Sequence, residues 1–228
     1  MNIEYILLIF LIIFVVMYII SKPCTEDFTD GLTNIEKIKL EQCMVAVHEV
    51  FKENNVWYII AFGSLLGAVR HRNMIPWDDD FDLLVKHDEL DKIRKSLKQL
   101  EKLGYKTEET YKLMRVYASE KHFIDLFLIK EEDNKISRCY TQNSCKYPKS
   151  NEEWWHKHFN FPSDLIDKKK IYHIGPLSLW GPVDSWNLLR FWYGDDFLTV
   201  CKTHYLKNHN EYVEPEKEQC AKSEPPQF

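Results

Sequence analysis

The sequence predicts an α+β domain, a mixed β-sheet flanked by helices, standing behind one N-terminal transmembrane helix. Three observations predict it. Residues 5–20, YILLIFLIIFVVMYII, are uninterrupted apolar or aromatic. Farther along, amphipathic stretches alternate with short apolar runs, some in hairpin-like pairs, which favours α+β over a doubly wound sheet. Between two of those runs a Gly-Ser turn precedes Asp78, Asp79, Asp80 and Asp82, more carboxylates than a structural turn among hydrophobes needs.

The first run, extended to Ile3 past Glu4, is near the short end of the roughly 17–25 residues that span a bilayer. A cleavable signal peptide has a basic start and a small-residue exit. This start carries Glu4 and no Lys or Arg, and the exit reads Ile19-Ile20-Ser21-Lys22-Pro23. Residues 3–20 therefore read as an uncleaved anchor. A buried core helix is disfavoured, because such a helix usually keeps a polar face. A stem and first helix follow over 21–55, the main domain over 56–213, and a loose tail rich in charge and proline over 214–228.

Charge and cysteines bound the partners and the compartment. With 35 acidic and 30 basic residues the formal charge is -5. No basic stripe dominates, which argues against a nucleic-acid partner. Cys24, Cys43, Cys139, Cys145, Cys201 and Cys220 fit no zinc spacing. Their even number suits a lumenal domain with disulfides, Cys139 and Cys145 being the nearest pair. Reduced core cysteines explain it equally well. Lys22, Lys37 and Lys39 after the anchor pull the other way, toward a cytosolic domain.

Each element has its own signal. Thr33-x-x-Glu36 is a capping box that opens a helix ending at Asn54-Asn55. Val56 to Phe62 reads as a strand, Gly63-Ser64 as a turn, and Leu65 to His71 as a short helix that Pro76 cannot continue. Asp80 to Lys86 is the next strand, and about Glu89 to Leu103 an amphipathic helix. Met114–Ser119 pairs with His122–Lys130, Asp133-Asn134 turns the chain, and Lys135–Tyr140 returns. The segment 143–169 is aromatic and irregular. Lys170–His173 and Leu177–Trp180 are short strands, and Asp184 caps a helix ending near Tyr193-Gly194.

Asp80 and Asp82, two apart in a strand, leave the same face while Phe81 points into the core. Two fixed carboxylate oxygens suit a hard divalent cation, and so close a pair needs a metal or a proton to relieve its repulsion. Asp125 interrupts the apolar run His122–Ile129, and the same metal is its economical partner. Gly63 and Ser64 expose backbone N–H groups at a helix start, a natural seat for phosphate. Arg70, with His71 and Arg72 beside it, could neutralise a diphosphate. Trp154, Trp155, Trp180, Trp186 and Trp192 could stack a base or sugar, although such residues are more often core.

The segment from Gly63 to His71, followed by Ile75-Pro-Trp-Asp-Asp-Asp-Phe-Asp82, closely resembles the signature of the LicD family, which includes bacterial phosphorylcholine transferases, fukutin and fukutin-related protein. Asp125 and the late Tyr193-Gly194-Asp195-Asp196 add to the resemblance, which covers about 56–200. It implies a nucleotidyltransferase-like fold. It also implies transfer of a phosphoalcohol, such as phosphocholine or ribitol phosphate, from a CDP-alcohol to a glycan or glycolipid hydroxyl, releasing CMP. Asp80 and Asp82 would bind Mg²⁺ or Mn²⁺. Asp78 would sit behind them or help activate the acceptor. Asp125 would be a further ligand or base, and Ser64 and Arg70 would contact phosphate. Likeness to anchored fukutin-like proteins implies a type II orientation in the ER or Golgi lumen. Two other readings stand beside this one: a nucleotidyltransferase acting on a sugar phosphate, and a catalytically silent membrane-anchored scaffold.

Overall fold

The structure, a computed structural model, describes residues 32–140, 158–202 and 217–219. The expected anchor, the stem before residue 32, most of the aromatic segment and most of the tail lie outside the described residues. Among the described residues no helix is long and apolar enough to cross a membrane. The chain divides into two compact units. Asp30–Phe197 is one, and Met1–Thr29 with Leu198–Phe228 is the other. In the second unit a short antiparallel hairpin, Val200–Lys202 with Lys217–Gln219, is described.

The larger unit is α+β, as expected. Its first helix, α1 (Asn34–Glu53), starts on the predicted capping box. Thr33 accepts from the Glu36 N–H, and the Glu36 side chain accepts from the Thr33 N–H. Its inner face carries Leu40, Cys43, Met44, Val47, Val50 and Phe51, all buried. Cys43 is a free thiol in that core, and Cys139 is disulfide-bonded.

Strand β1 (Tyr58–Ile60) is shorter than the predicted run. Helix α2 (Phe62–Arg70) starts three residues earlier than predicted, so Gly63 and Ser64 lie in its first turn rather than ahead of it. The sharp bend falls on Ala61 and Phe62, and Phe62 has φ 42°. That is a costly left-handed conformation for an aromatic residue. Its ring is held by Phe127, Phe159 and Trp192 at centroid distances of 5.6, 5.4 and 4.5 Å.

Strand β2 (Phe81–Lys86) leads through a 3₁₀ turn into α3 (Leu90–Lys102). Then come β3 (Lys106–Glu109), a strand with no clear signal in the sequence, β4 (Met114–Tyr117) and β5 (Phe123–Glu132). The turn to β6 (Lys135–Arg138) uses Asp133 and Asn134 at φ 51° and 59°, both left-handed, as a tight hairpin requires. The pieces β7 (Phe161–Pro162), β8 (Lys169–Ile174), β9 (Leu177–Pro182) and α4 (Ser185–Tyr193) complete the unit. Asp184 caps α4 as predicted, accepting from the Asn187 N–H.

The main sheet is mixed, in the order β1-β2-β5-β4-β3, with β6 pairing the far half of β5 and β7 pairing β6. Among the described strands only β2 and β5 run parallel; α3, β3 and β4 form the connection between them. Their register sets Asp82 directly beside Asp125. Phe81, Leu83, Leu84 and Val85 of β2 and Ile124, Leu126 and Leu128 of β5 are fully buried, so these two central strands make a rigid floor.

Candidate active site

The site lies where β2 and β5 begin and α2 starts. Strand β2 begins at Phe81, one residue later than predicted, so Asp80 stands in the connection just before it. Carboxylate oxygens of Asp80, Asp82 and Asp125 nevertheless lie within 4.8 Å of one another, and so do those of Asp78, Asp79 and Asp80. The structure brings together Asp78, Asp79, Asp80, Asp82 and Asp125.

Two local devices hold Asp82. Its N–H donates to Ser64 Oγ at 2.9 Å, and its carbonyl accepts from the Ala61 N–H at 2.9 Å. The start of α2 therefore clamps both sides of this residue. Ser64 is buried, and its hydroxyl oxygen supports Asp82 from within the protein. Gly63 serves Asp78. A Cβ on Gly63 would lie 2.6 Å from Asp78 Oδ2, so only glycine lets that carboxylate settle against the first turn of α2.

Asp125 has a protein partner that the sequence did not point to. Its partner is Arg115 on β4, a residue that sequence reasoning missed. The two are paired across the antiparallel ladder, and the guanidinium grips both oxygens, Nε to Oδ1 at 2.5 Å and Nη2 to Oδ2 at 2.8 Å. Arg115 also stacks on Phe123, 3.5 Å from the ring centroid. A buried carboxylate gripped in this way needs no metal to balance it. The available signal was the alternation in Met114-Arg-Val-Tyr117, which puts Arg115 on one face, but nothing local assigns that face to Asp125.

Arg70 is buried. Its Nη1 donates to the Phe197 carbonyl at 3.2 Å and its Nε faces His71 Nδ1 at 3.4 Å. The late Tyr-Gly-Asp element is thereby drawn toward α2, and the Arg70 charge also acts on Asp78. Burial and Arg70 push His71 down to about 4, so at neutral pH this imidazole adds no positive charge for a diphosphate. Arg72 is exposed, and its carbonyl accepts from the Gly175 N–H. Of the tryptophans, Trp192 is core, its Nε1 donating to the His158 carbonyl, while Trp186 is exposed and packs edge-on against Phe197. Trp154 and Trp155 lie outside the described residues.

The electrostatics are those of crowded acids. Burial first, then the neighbouring carboxylates, push Asp80 and Asp82 well above the usual carboxylate range. Burial and Asp79 push Asp78 up to about 7. Hard oxygen donors converging at this density suit Mg²⁺ or Mn²⁺ in donor type and charge. Asp80 and Asp82 are the residues that fit such an ion, with Asp125, fixed by Arg115, close beside them.

Residues 55–184 match the family model described as LicD/FKTN/FKRP, nucleotidyltransferase domain. An uncharacterized protein of Rickettsia prowazekii is 35% identical over 148 residues, 64% of this chain and 51% of that protein. An uncharacterized protein of Rickettsia typhi is 33% identical over 148 residues, 64% of this chain and 43% of its own length. The chain thus spans about half the length of these relatives. The lipopolysaccharide cholinephosphotransferase LicD of Haemophilus influenzae is 40% identical over 42 residues, 18% of this chain and 16% of that enzyme. Among solved structures, the lincomycin-bound lincosamide antibiotic adenylyltransferase LnuA aligns at TM-score 0.41 and 16% identity, over 70% of this chain and 85% of that one, too distant to carry an argument. With more than half of its length matched by the family model, and with the matched segment holding the aspartates and the start of α2, the chain belongs to the LicD family.

Proposed function

We propose that this protein transfers a phosphoalcohol from a CDP-alcohol to a hydroxyl of a glycan or glycolipid and releases CMP. The observation that carries the reading is the convergence of Asp80, Asp82 and Asp125 beside the first turn of α2, inside the family-matched segment. Asp80 and Asp82 would hold Mg²⁺ or Mn²⁺, which when bound neutralises charge on the diphosphate. The first N–H groups of α2, from Phe62 through Ser64, offer donors to phosphate oxygens. Arg70 holds the late element against α2, and Arg115 fixes Asp125. The acceptor oxygen forms a bond to the phosphorus that carries the alcohol, and the diphosphate bridge breaks. CMP leaves with the electron pair, and Asp78 takes the acceptor's proton. Phosphoryl-type transfer needs this kind of positioning more than it needs a covalent residue.

Anchoring by residues 3–20 and a type II orientation in the ER or Golgi lumen complete the proposal. The disulfide-bonded state of Cys139 supports an oxidising compartment.

The test is CMP release and thermal unfolding of the full chain with CDP-choline, CDP-ribitol and CDP-glycerol, each with and without Mg²⁺ or Mn²⁺. One donor should give metal-dependent CMP release and a metal-dependent rise in Tm, both lost in Asp80→Asn and Asp82→Asn. Full turnover in Asp82→Asn would refute the assignment. The family model's description as a nucleotidyltransferase domain favours one second reading, in which a nucleoside triphosphate activates a sugar phosphate. Release of pyrophosphate in place of CMP would identify it.

A further inference from the structure

We infer that His122 is a positioning residue for the aspartate cluster: it holds the Asp79 carbonyl and thereby sets where Asp80 presents its carboxylate. The inference deepens the proposed metal-binding role of Asp80 and rests on that reading for its functional consequence.

The three converging carboxylates are not held alike. Asp82 and Asp125 sit within ladder strands, one clamped by Ala61 and Ser64, the other gripped by Arg115. Asp80 precedes β2 and has no ladder position. Its placement depends on the peptide plane that joins it to Asp79. The carbonyl of that plane lies 3.2 Å from His122 Nδ1. A carbonyl can only accept, so Nδ1 is the protonated, donating nitrogen.

The imidazole is itself well mounted. His122 is only 8% exposed. Its carbonyl accepts from the Ala118 and Ser119 N–H groups at 2.9 and 3.1 Å, and its own N–H donates to Ser119 Oγ at 3.1 Å. The β4–β5 turn thus fixes the backbone that carries the ring. On the other side, Nε2 lies 3.3 Å from Glu36 Oε1, within ion-pair range but outside hydrogen-bond geometry. Glu36 Oε2 is committed to the capping box of α1. The Nδ1 bond is therefore the one that reaches the aspartate loop, while Nε2 faces the start of α1.

This asymmetry makes a test. An Asn amide nitrogen can stand where Nδ1 stands, whereas a Gln amide reaches toward the Nε2 position and Leu supplies no donor. His122→Asn, His122→Gln and His122→Leu are compared with wild type, using the full chain in detergent. Hydrogen exchange of the amides of residues 78–82 is read without metal, and Mn²⁺ affinity is read by spin resonance. Exchange should rise about tenfold in the Gln and Leu variants, and Mn²⁺ should bind about tenfold more weakly, the scale of losing a residue that orients a ligand. The Asn variant should stay near wild type in both. Unchanged exchange in His122→Leu, or an Asn variant as impaired as Leu, would overturn the inference. Absence of Mn²⁺ binding in wild type would refute the metal reading instead, while the exchange comparison would still decide the role of His122. If the Leu variant fails to fold, the contrast between Asn and Gln decides it.

Discussion

Ser64 Oγ accepts the Asp82 N–H at 2.9 Å, so a side chain in the first turn of α2 sets the start of β2. The Gly-Ser pair and the aspartates are separate features along the chain, yet this bond makes them one structural unit. Ser64→Ala leaves the Asp82 amide without its acceptor, at a cost of about 1–3 kcal/mol. We expect a lower urea midpoint and a larger proportional loss in CMP release, because Asp82 loses one side of its clamp. Wild-type turnover in Ser64→Ala would show that the clamp is not needed.

Arg115 and Asp125 allow a charge-pair test. Arg115→Leu strands a buried carboxylate beside Asp80 and Asp82, and breaking a buried pair in this way typically costs roughly 3–5 kcal/mol. Arg115→Leu combined with Asp125→Leu should recover much of that stability but no activity. Denaturant melts of the two single variants and the double variant give the coupling energy. Additive losses would mean that the bidentate contact contributes nothing beyond its parts.

Two glycines in α2 should respond differently to alanine. At Gly67 the new Cβ would meet the Asn73 carbonyl oxygen at 2.6 Å, a backbone atom that cannot step aside. At Gly63 it would meet the end of the Asp78 side chain at 2.6 Å. Gly67→Ala should therefore lower stability by about 1–3 kcal/mol through overpacking. Gly63→Ala should lower turnover more than stability, because a carboxylate is displaced and no backbone moves. Thermal melts and CMP release, measured on both variants, separate the two effects.

His71 gives a pH dependence with a defined sign. Burial, with Arg70 beside it, lowers the group from 6.5 to about 4. Between those values the unfolded chain binds the proton and the folded protein does not. Stability from this residue is thus fully present above about 6.5 and falls as pH drops toward 4. His71→Gln should flatten the Tm profile in that window and leave it unchanged at pH 8. An identical slope in wild type and variant would rule out His71 as the source.

Much of this protein was legible in its chain because much of it is local. The capping box at Thr33 and Glu36, the left-handed turn at Asp133-Asn134, the Asp184 cap and the alternation that buries Phe81 between Asp80 and Asp82 involve neighbours a few residues apart. Propensity and periodicity report on such neighbours directly. The early start of α2 was not legible, because Phe62 accepts a strained φ only once distant aromatic rings hold it. The grip of Arg115 on Asp125, the burial of Arg70 against Phe197 and the reach of His122 to Asp79 depend on strand order and register. Which carboxylates gather in the candidate site was legible in the sequence alone. What each of them is held by was decided only when β2 and β5 were laid side by side, because a hydrogen bond depends on separation in space and not along the chain.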